Sequence, residues 1–241
     1  MKKLKKILLG LMILTLVFVL MSSKKTSVEM VKIPNSNFEM LPTEVTQELY
    51  ESIMGGNPSS FKYANNPVEN VSWYDAIYFC NKLSVVDGLE PVYSVDGNID
   101  TSKWNYTPHQ GNSIEGGITK STSANGYRLP TVEEWKYAAK GGQYYTYAGS
   151  NEIDEVAWYN GNSNDKTHPV AQKKANGYGL YDMSGNVWEW CWDSNGYKFF
   201  IRYGCGGSWY DYDECRGSYS LYFGAKYQGN DFGFRIVRTV E

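Results

Sequence analysis

The stretch GLYDMSGNVWEW at residues 179–190 carries the information on which the fold turns. Its first part is written in turn residues: Gly179, Asp182, Ser184, Gly185 and Asn186 tolerate tight or left-handed backbone and hydrogen-bond locally. Its second part is bulky and aromatic. The same mixture of Gly, Asn, Asp, Ser and aromatic residues fills the chain beyond Gly142, favouring turns, short strands and long ordered loops.

Upstream the pattern is helical. Ser72 precedes Trp73, Tyr74 and Asp75, so its hydroxyl can cap a free N–H while Asp75 sits in the favourable first turn. Trp73, Ile77, Cys80 and Ser84 then share a face, with Leu83 beside them. Thr131 and Glu134 form a capping box before Trp135, Ala138 and Ala139, and Gly141-Gly142 ends that helix. A third helix is expected from Glu44 to Met54, stopping at Gly55. The architecture is therefore α+β, with helices early and irregular or short-strand structure late.

Composition narrows the function. Of 241 residues, 42% are apolar and 20% charged, the balance of a packed globular protein. The net charge of -3 argues against nucleic acid as a partner. The 21 tyrosines combine contact area with a polar tip, which suits either a binding surface or a Tyr-rich core. Lys2, Lys3, Lys5 and Lys6 precede an apolar run from Ile7 to Met21, which spans ~22 Å as a helix, short of a ~30 Å bilayer core. Residues 1–23 read as a signal peptide or an uncleaved anchor, and residues 28–241 as one domain. The chain is then exported, periplasmic or on the cell surface, and meets a membrane only through that segment. Four cysteines, Cys80, Cys191, Cys205 and Cys215, permit three disulfide connectivities, and no CxxC spacing suggests zinc.

Six blocks occur in a fixed order: EVTQELYESIMGGNPSSF from Glu44, VENVSWYDAIYFCNKLS from Val68, GYRLPTVEEWKYAAKGG from Gly126, HPVAQKKANGYGLYDMSGNVWEWCWD from His168, GGSW from Gly206 and GFRIVR from Gly233. Together they resemble the formylglycine-generating-enzyme, or sulfatase-modifying-factor, family. The resemblance implies a C-type-lectin-like core decorated with irregular segments. Between Phe38-Glu39-Met40 and Glu44 roughly twenty residues are missing by comparison with what the resemblance implies, and a lost strand would leave an open sheet edge.

The family's enzymes hold copper through two cysteines after GGS. Aligned on Gly206-Gly207-Ser208, those positions are Asp211 and Arg216, so copper is not expected here. A related branch uses three histidines, and this chain has only His109 and His168. The family's structural calcium site maps onto Asp182, the carbonyls of Gly185 and Val187, and Glu189, a set of hard oxygen donors; the alternative is that Asp182 and Glu189 cap or pair locally. The family's second calcium site looks lost at Ala157. The disulfide partner that the resemblance implies for Cys80 is Ile236 here, which leaves Cys80 a buried thiol. A bridge between Cys191 and Cys215 would close about 24 residues, worth ~3 kcal/mol in the chain-entropy model; the alternative is two free thiols.

Two function classes follow. One is a non-catalytic module that binds a protein or glycan through the segment Trp209 to Asp231, where Trp209, Tyr210, Asp211, Tyr212, Arg216, Tyr219, Tyr222 and Tyr227 form a recognition-type mixture. About half of those aromatics should be exposed. Some bacterial variable surface proteins of this fold place a ligand-binding patch there. The other class is a formylglycine-generating-type oxidoreductase with altered metal ligands. An envelope role assisting another protein's maturation is a third reading.

Overall fold

A computed structural model describes residues 28–194, 196 and 200–240. The expected leader or anchor over residues 1–23 lies outside them. Among the described residues no helix is long and apolar enough to cross a membrane.

In chain order the elements are β1 (Val31–Lys32), β2 (Phe38–Met40), α1 (Gln47–Met54), α2 (Trp73–Val86), β3 (Tyr93–Val95), β4 (Ile118–Lys120), β5 (Tyr127–Arg128), α3 (Val132–Lys140), α4 (Ile153–Val156), β6 (Trp188–Ser194), β7 (Ile201–Cys205), β8 (Ser220–Gly224), β9 (Phe232–Gly233) and β10 (Val237–Thr239). Helices come first and the longer strands last, the α+β arrangement read from the pattern.

The caps start the helices where expected. The Ser72 hydroxyl accepts the Asp75 N–H and the Asp75 carboxylate accepts the Ser72 N–H, a reciprocal box that begins α2. Thr131 and Glu134 do the same for α3, which ends on Gly141 in left-handed backbone. The first helix begins later than expected, at Gln47. Thr46 caps it through the Leu49 N–H, and Glu44 is drawn instead into a buried polar node. Burial of α2 exceeds the single apolar stripe: Tyr74, Asp75, Ala76, Phe79 and Asn81 are buried as well.

The strands form a four-stranded sheet in the order β1-β2-β10-β5, a second in the order β8-β7-β6-β9, and the hairpin β3-β4. The expected open edge beside β2 does not occur. Antiparallel β10 covers one side of β2 and β1 the other. The short Leu41–Glu44 connection is stitched down by hydrogen bonds from the Leu41 N–H to the Ile236 carbonyl and from the Val45 N–H to the Phe234 carbonyl. Three apolar clusters fill the interior. The largest packs α2 against Trp190, Phe232 and Phe234, and Cys80 is buried there as a free thiol. The second joins Trp135 of α3 to Met183, Cys191 and Cys205, and the third gathers Tyr147, Ile153, Val156, Ala157 and Cys215.

Candidate functional site

Glu189 and Arg235 lie 46 positions apart yet form a fully buried ion pair at 2.8 Å. Strand β6 supplies Glu189 and the segment after β9 supplies Arg235. The guanidinium also donates to the carbonyls of Leu41 and Tyr181, and the Trp135 indole N–H donates to Glu189 Oε2 at 2.7 Å. Every polar atom of this pair is therefore engaged. Glu44 completes the node from the other end of the chain: it accepts from the Asn186 side-chain amide at 3.0 Å and from the Val187 N–H. Burial, followed by repulsion from Asp182 and Glu189, pushes the Glu44 carboxyl well up. Sequence reading missed Glu44 and Arg235 as site residues, because nothing local marks residues that meet across the whole chain.

The turn beside this node holds the expected calcium residues. Asp182 and Gly185 both take positive φ, and a Cβ at Gly185 would collide with the Trp158 carbonyl. Asp182 Oδ2 accepts the Ala171 N–H at 2.7 Å, while its buried Oδ1 has no hydrogen-bond partner. Burial pushes this carboxyl up to about 6. Three buried carboxyl groups, Glu44, Asp182 and Glu189, thus surround one buried guanidinium, and with all three ionised the node is short of positive charge. Asp182 fits a cation on that account. Glu189 does not fit as drawn from the sequence, since Arg235 and Trp135 already occupy both its oxygens. Among the described residues no three His, Cys, Asp or Glu side chains converge as a metal cage, so a cation here depends on backbone carbonyls.

The late segment leaves the second cluster through Gly206 and Gly207. Gly207 has φ +71 and lies against the backbone of Glu214 and Cys215, a contact that only a residue without Cβ permits. Asp211 accepts from the Ser208 N–H and hydroxyl at 3.0 and 2.6 Å, and burial pushes its carboxyl up. Arg216 pairs with Asp213 at 3.0 Å. A carboxylate and a guanidinium, both locally committed, do not fit copper(I), which takes soft thiolates.

Of the eight residues expected to bind a ligand, the fold presents some and withdraws others. Tyr210 and Tyr222 are 67% and 61% exposed, and Tyr212, Tyr227 and Arg216 are exposed as well. Trp209 is the correction: it is buried, edge-on to Phe61, with its indole N–H on the Asn230 carbonyl at 3.0 Å. Tyr219 is half-buried against Trp188, and Asp211 serves the turn. Tyr212 lies against Tyr159 near the 3-10 turn Asp213–Cys215, while Tyr222 stands on β8 beside Tyr203. Glu69 is buried with Oε1 on the Phe61 N–H and Oε2 unpartnered; burial raises its carboxyl to about 7.

The expected Cys191–Cys215 bridge is also corrected. Cys191 on β6 faces the α3 cluster, whereas Cys215 sits in the third cluster and points its thiol at the Ser208 carbonyl. His168 is a packing residue, stacked on Trp158 with ring centroids 3.8 Å apart. His109 contacts the Tyr50 hydroxyl at 3.3 Å through its ring and donates its backbone N–H to buried Asp75.

The fold also relates this chain to known proteins. The chain is 41% identical over 229 residues to the chaperone protein LppX of Paenibacillus barcinonensis, a match covering 85% of this chain and 81% of that one. Among solved structures, Treponema denticola variable protein 1 superposes with a TM-score of 0.77 at 35% identity, covering 88% of this chain and 91% of its own. CarF superposes with a TM-score of 0.72 at 33% identity, covering 85% and 87%. The model of the sulfatase-modifying factor enzyme 1-like domain matches residues 18–240, nearly the whole sequence. With its α+β, C-type-lectin-like fold, this chain belongs to the sulfatase-modifying factor enzyme 1-like family.

Proposed function

We propose that this chain is an exported, non-catalytic binding module that holds a protein partner through the exposed tyrosines of its late segment. The observation that carries the reading is the exposure of Tyr210, Tyr212, Tyr222 and Tyr227, in a segment where the family's copper thiolates are replaced by Asp211 and Arg216. Tyrosine offers large contact area at low rotamer cost, with a hydroxyl left for hydrogen bonding. A protein is favoured over a glycan by β8. It is the outer strand of its sheet, and Leu221 and Tyr222 on it are exposed, so it offers backbone groups to another chain. The name of the LppX relative, a chaperone, and that of the Treponema variable protein fit a binding role. The basic and apolar start, Lys2 to Met21, supports export to the periplasm or cell surface.

The test replaces Tyr210, Tyr212 and Tyr222 together by Ala. Partners cross-linked to the wild-type chain in envelope extracts are identified, purified and titrated against both proteins. The triple variant should bind at least ~10-fold more weakly, with a melting temperature within a few degrees of wild type. Equal binding by the two proteins defeats the surface assignment. Retention on a glycan array with no protein captured replaces the protein by a sugar. Copper-dependent conversion of a sulfatase cysteine peptide to formylglycine would restore the oxidoreductase reading.

Structural calcium belongs to the same proposal. Asp182, with the carbonyls of Gly185 and Val187, would hold the ion beside the Glu189–Arg235 pair and supply the positive charge that the node lacks. At about 100 times its dissociation constant the ion would stabilise the fold by ~2.7 kcal/mol. Chelator should lower the melting temperature of the wild type and leave Asp182→Asn unmoved. An unchanged wild-type transition eliminates the site.

A further inference from the structure

Cys191 and Cys205 take no part in the carboxylate node or the tyrosine surface. They belong to neighbouring antiparallel strands, β6 and β7. Glu189 pairs with Cys205 and Trp190 with Gly204, so Cys191 stands diagonally across from Cys205 on the same face. The two Sγ atoms are 3.6 Å apart, in van der Waals contact. Both side chains are fully buried, in the cluster that contains Trp135, Met183 and Leu180. A disulfide needs its sulfurs ~2.0 Å apart, so about 1.6 Å of approach separates this contact from a bond, within reach of side-chain rotation.

The other two cysteines do not compete. Cys80 is held in the core cluster of α2, and Cys215 lies in the third cluster, with its thiol directed to the Ser208 carbonyl at 3.7 Å. The contact also has a position that matters. Cys205 immediately precedes Gly206 and Gly207, where the late segment leaves the sheet, and Cys191 lies two residues beyond Glu189. A bond between them would tie the root of the exposed segment to the strand that carries the buried ion pair.

We propose that Cys191 and Cys205 are a disulfide-forming pair, oxidised by thiol–disulfide exchange with a small disulfide while the β6–β7 hairpin is still open, and then sealed by folding. One cysteine thiolate attacks a sulfur of the oxidant, whose S–S bond breaks and releases one thiolate. The second cysteine thiolate attacks the protein sulfur of this mixed disulfide and expels the other thiolate. The protein loses two electrons and the oxidant gains them. The two protons leave the cysteines and go to the two released thiolates, directly or through water. Timing follows from burial. The thiolate is the nucleophile; burial pushes the Cys191 thiol well up, and in the folded chain both side chains are screened from reagents. Once formed, the bond is screened from reductant in the same way.

The full chain is refolded from denaturant in a mixture of reduced and oxidised glutathione, then alkylated in denaturant, digested and mapped by mass spectrometry. The expected product is a peptide pair linked through Cys191 and Cys205, with Cys80 and Cys215 alkylated. The folded reduced chain, given the same mixture, should form the link roughly 100-fold more slowly. Cys191→Ser and Cys205→Ser should each remove it, while Cys80→Ser and Cys215→Ser should leave it. The wild-type map decides the matter even where a variant fails to fold. Four alkylated cysteines after refolding, or a link through Cys80 or Cys215, overturns the proposal.

Discussion

Two arginine–carboxylate pairs in this molecule have nearly equal lengths and opposite settings. Arg235 meets Glu189 at 2.8 Å with neither side chain reached by water. Arg216 meets Asp213 at 3.0 Å on the late segment, with side chains 53% and 68% exposed. The first joins β6 to the segment after β9, and through Leu41, Tyr181 and Trp135 it fixes three further regions. The second spans three residues of one turn. Distance alone does not rank them; solvent does. Water screens the exposed pair and hydrates either partner when the other is lost, whereas a buried partner left alone has no substitute. The node is therefore structural, whereas the exposed side chains of the late segment, Arg216 among them, contribute little to the fold.

Three measurements can break or sharpen this contrast. Arg235→Ala strands the Glu189 carboxylate without its cation and should cost ~3–5 kcal/mol in urea unfolding. A cost under ~1 kcal/mol would place the two pairs in the same class.

Glu69 lies between the extremes, buried with one oxygen on the Phe61 N–H and the other unpartnered. Burial comes first in raising its carboxyl to about 7; the Phe61 and Ser60 N–H groups and Lys62 hold it back, and Asp231 adds repulsion. The folded chain then keeps a proton that the unfolded chain has already released. The stability carried by that proton is complete below about pH 4 and is gone once pH has risen through about 7. Glu69→Gln keeps an oxygen for the Phe61 N–H and removes the titration. At pH 8 it should be more stable than wild type by on the order of 1–3 kcal/mol, and its stability should vary less between pH 4 and 7. Parallel pH profiles for the two proteins would refute the assignment.

The smallest effect belongs to Arg216. Its replacement by Ala should change stability by no more than ~0.5 kcal/mol, and added salt should shrink even that. A larger loss would mean that the late segment is part of the core it rests on.

Local chemistry made part of this molecule legible. Ser72 and Thr131 start helices because their hydroxyls reach N–H groups three residues on, a contact written within four positions of sequence. The start of α1 was misplaced because Glu44 follows a distant demand, from Asn186 and Val187. The tyrosines of the late segment stood out by composition, yet composition does not tell which way a side chain points. Tyr210 turns outward while Trp209, its neighbour, closes over Phe61. The cysteines teach the same lesson: the family resemblance pointed to Cys191 with Cys215, and strand register set Cys191 beside Cys205.

By itself the sequence determined the family, the α+β class and the helix caps at Ser72 and Thr131. Each of these depends on residue identity or on contacts a few positions apart. Only the tertiary structure decided that Glu44, Glu189 and Arg235 share one dry node, that four of the seven aromatics between Trp209 and Asp231 are exposed, and which thiols touch. Those facts depend on strand register and burial, which arise when segments up to nearly two hundred residues apart, Leu41 and Arg235 among them, exclude water together.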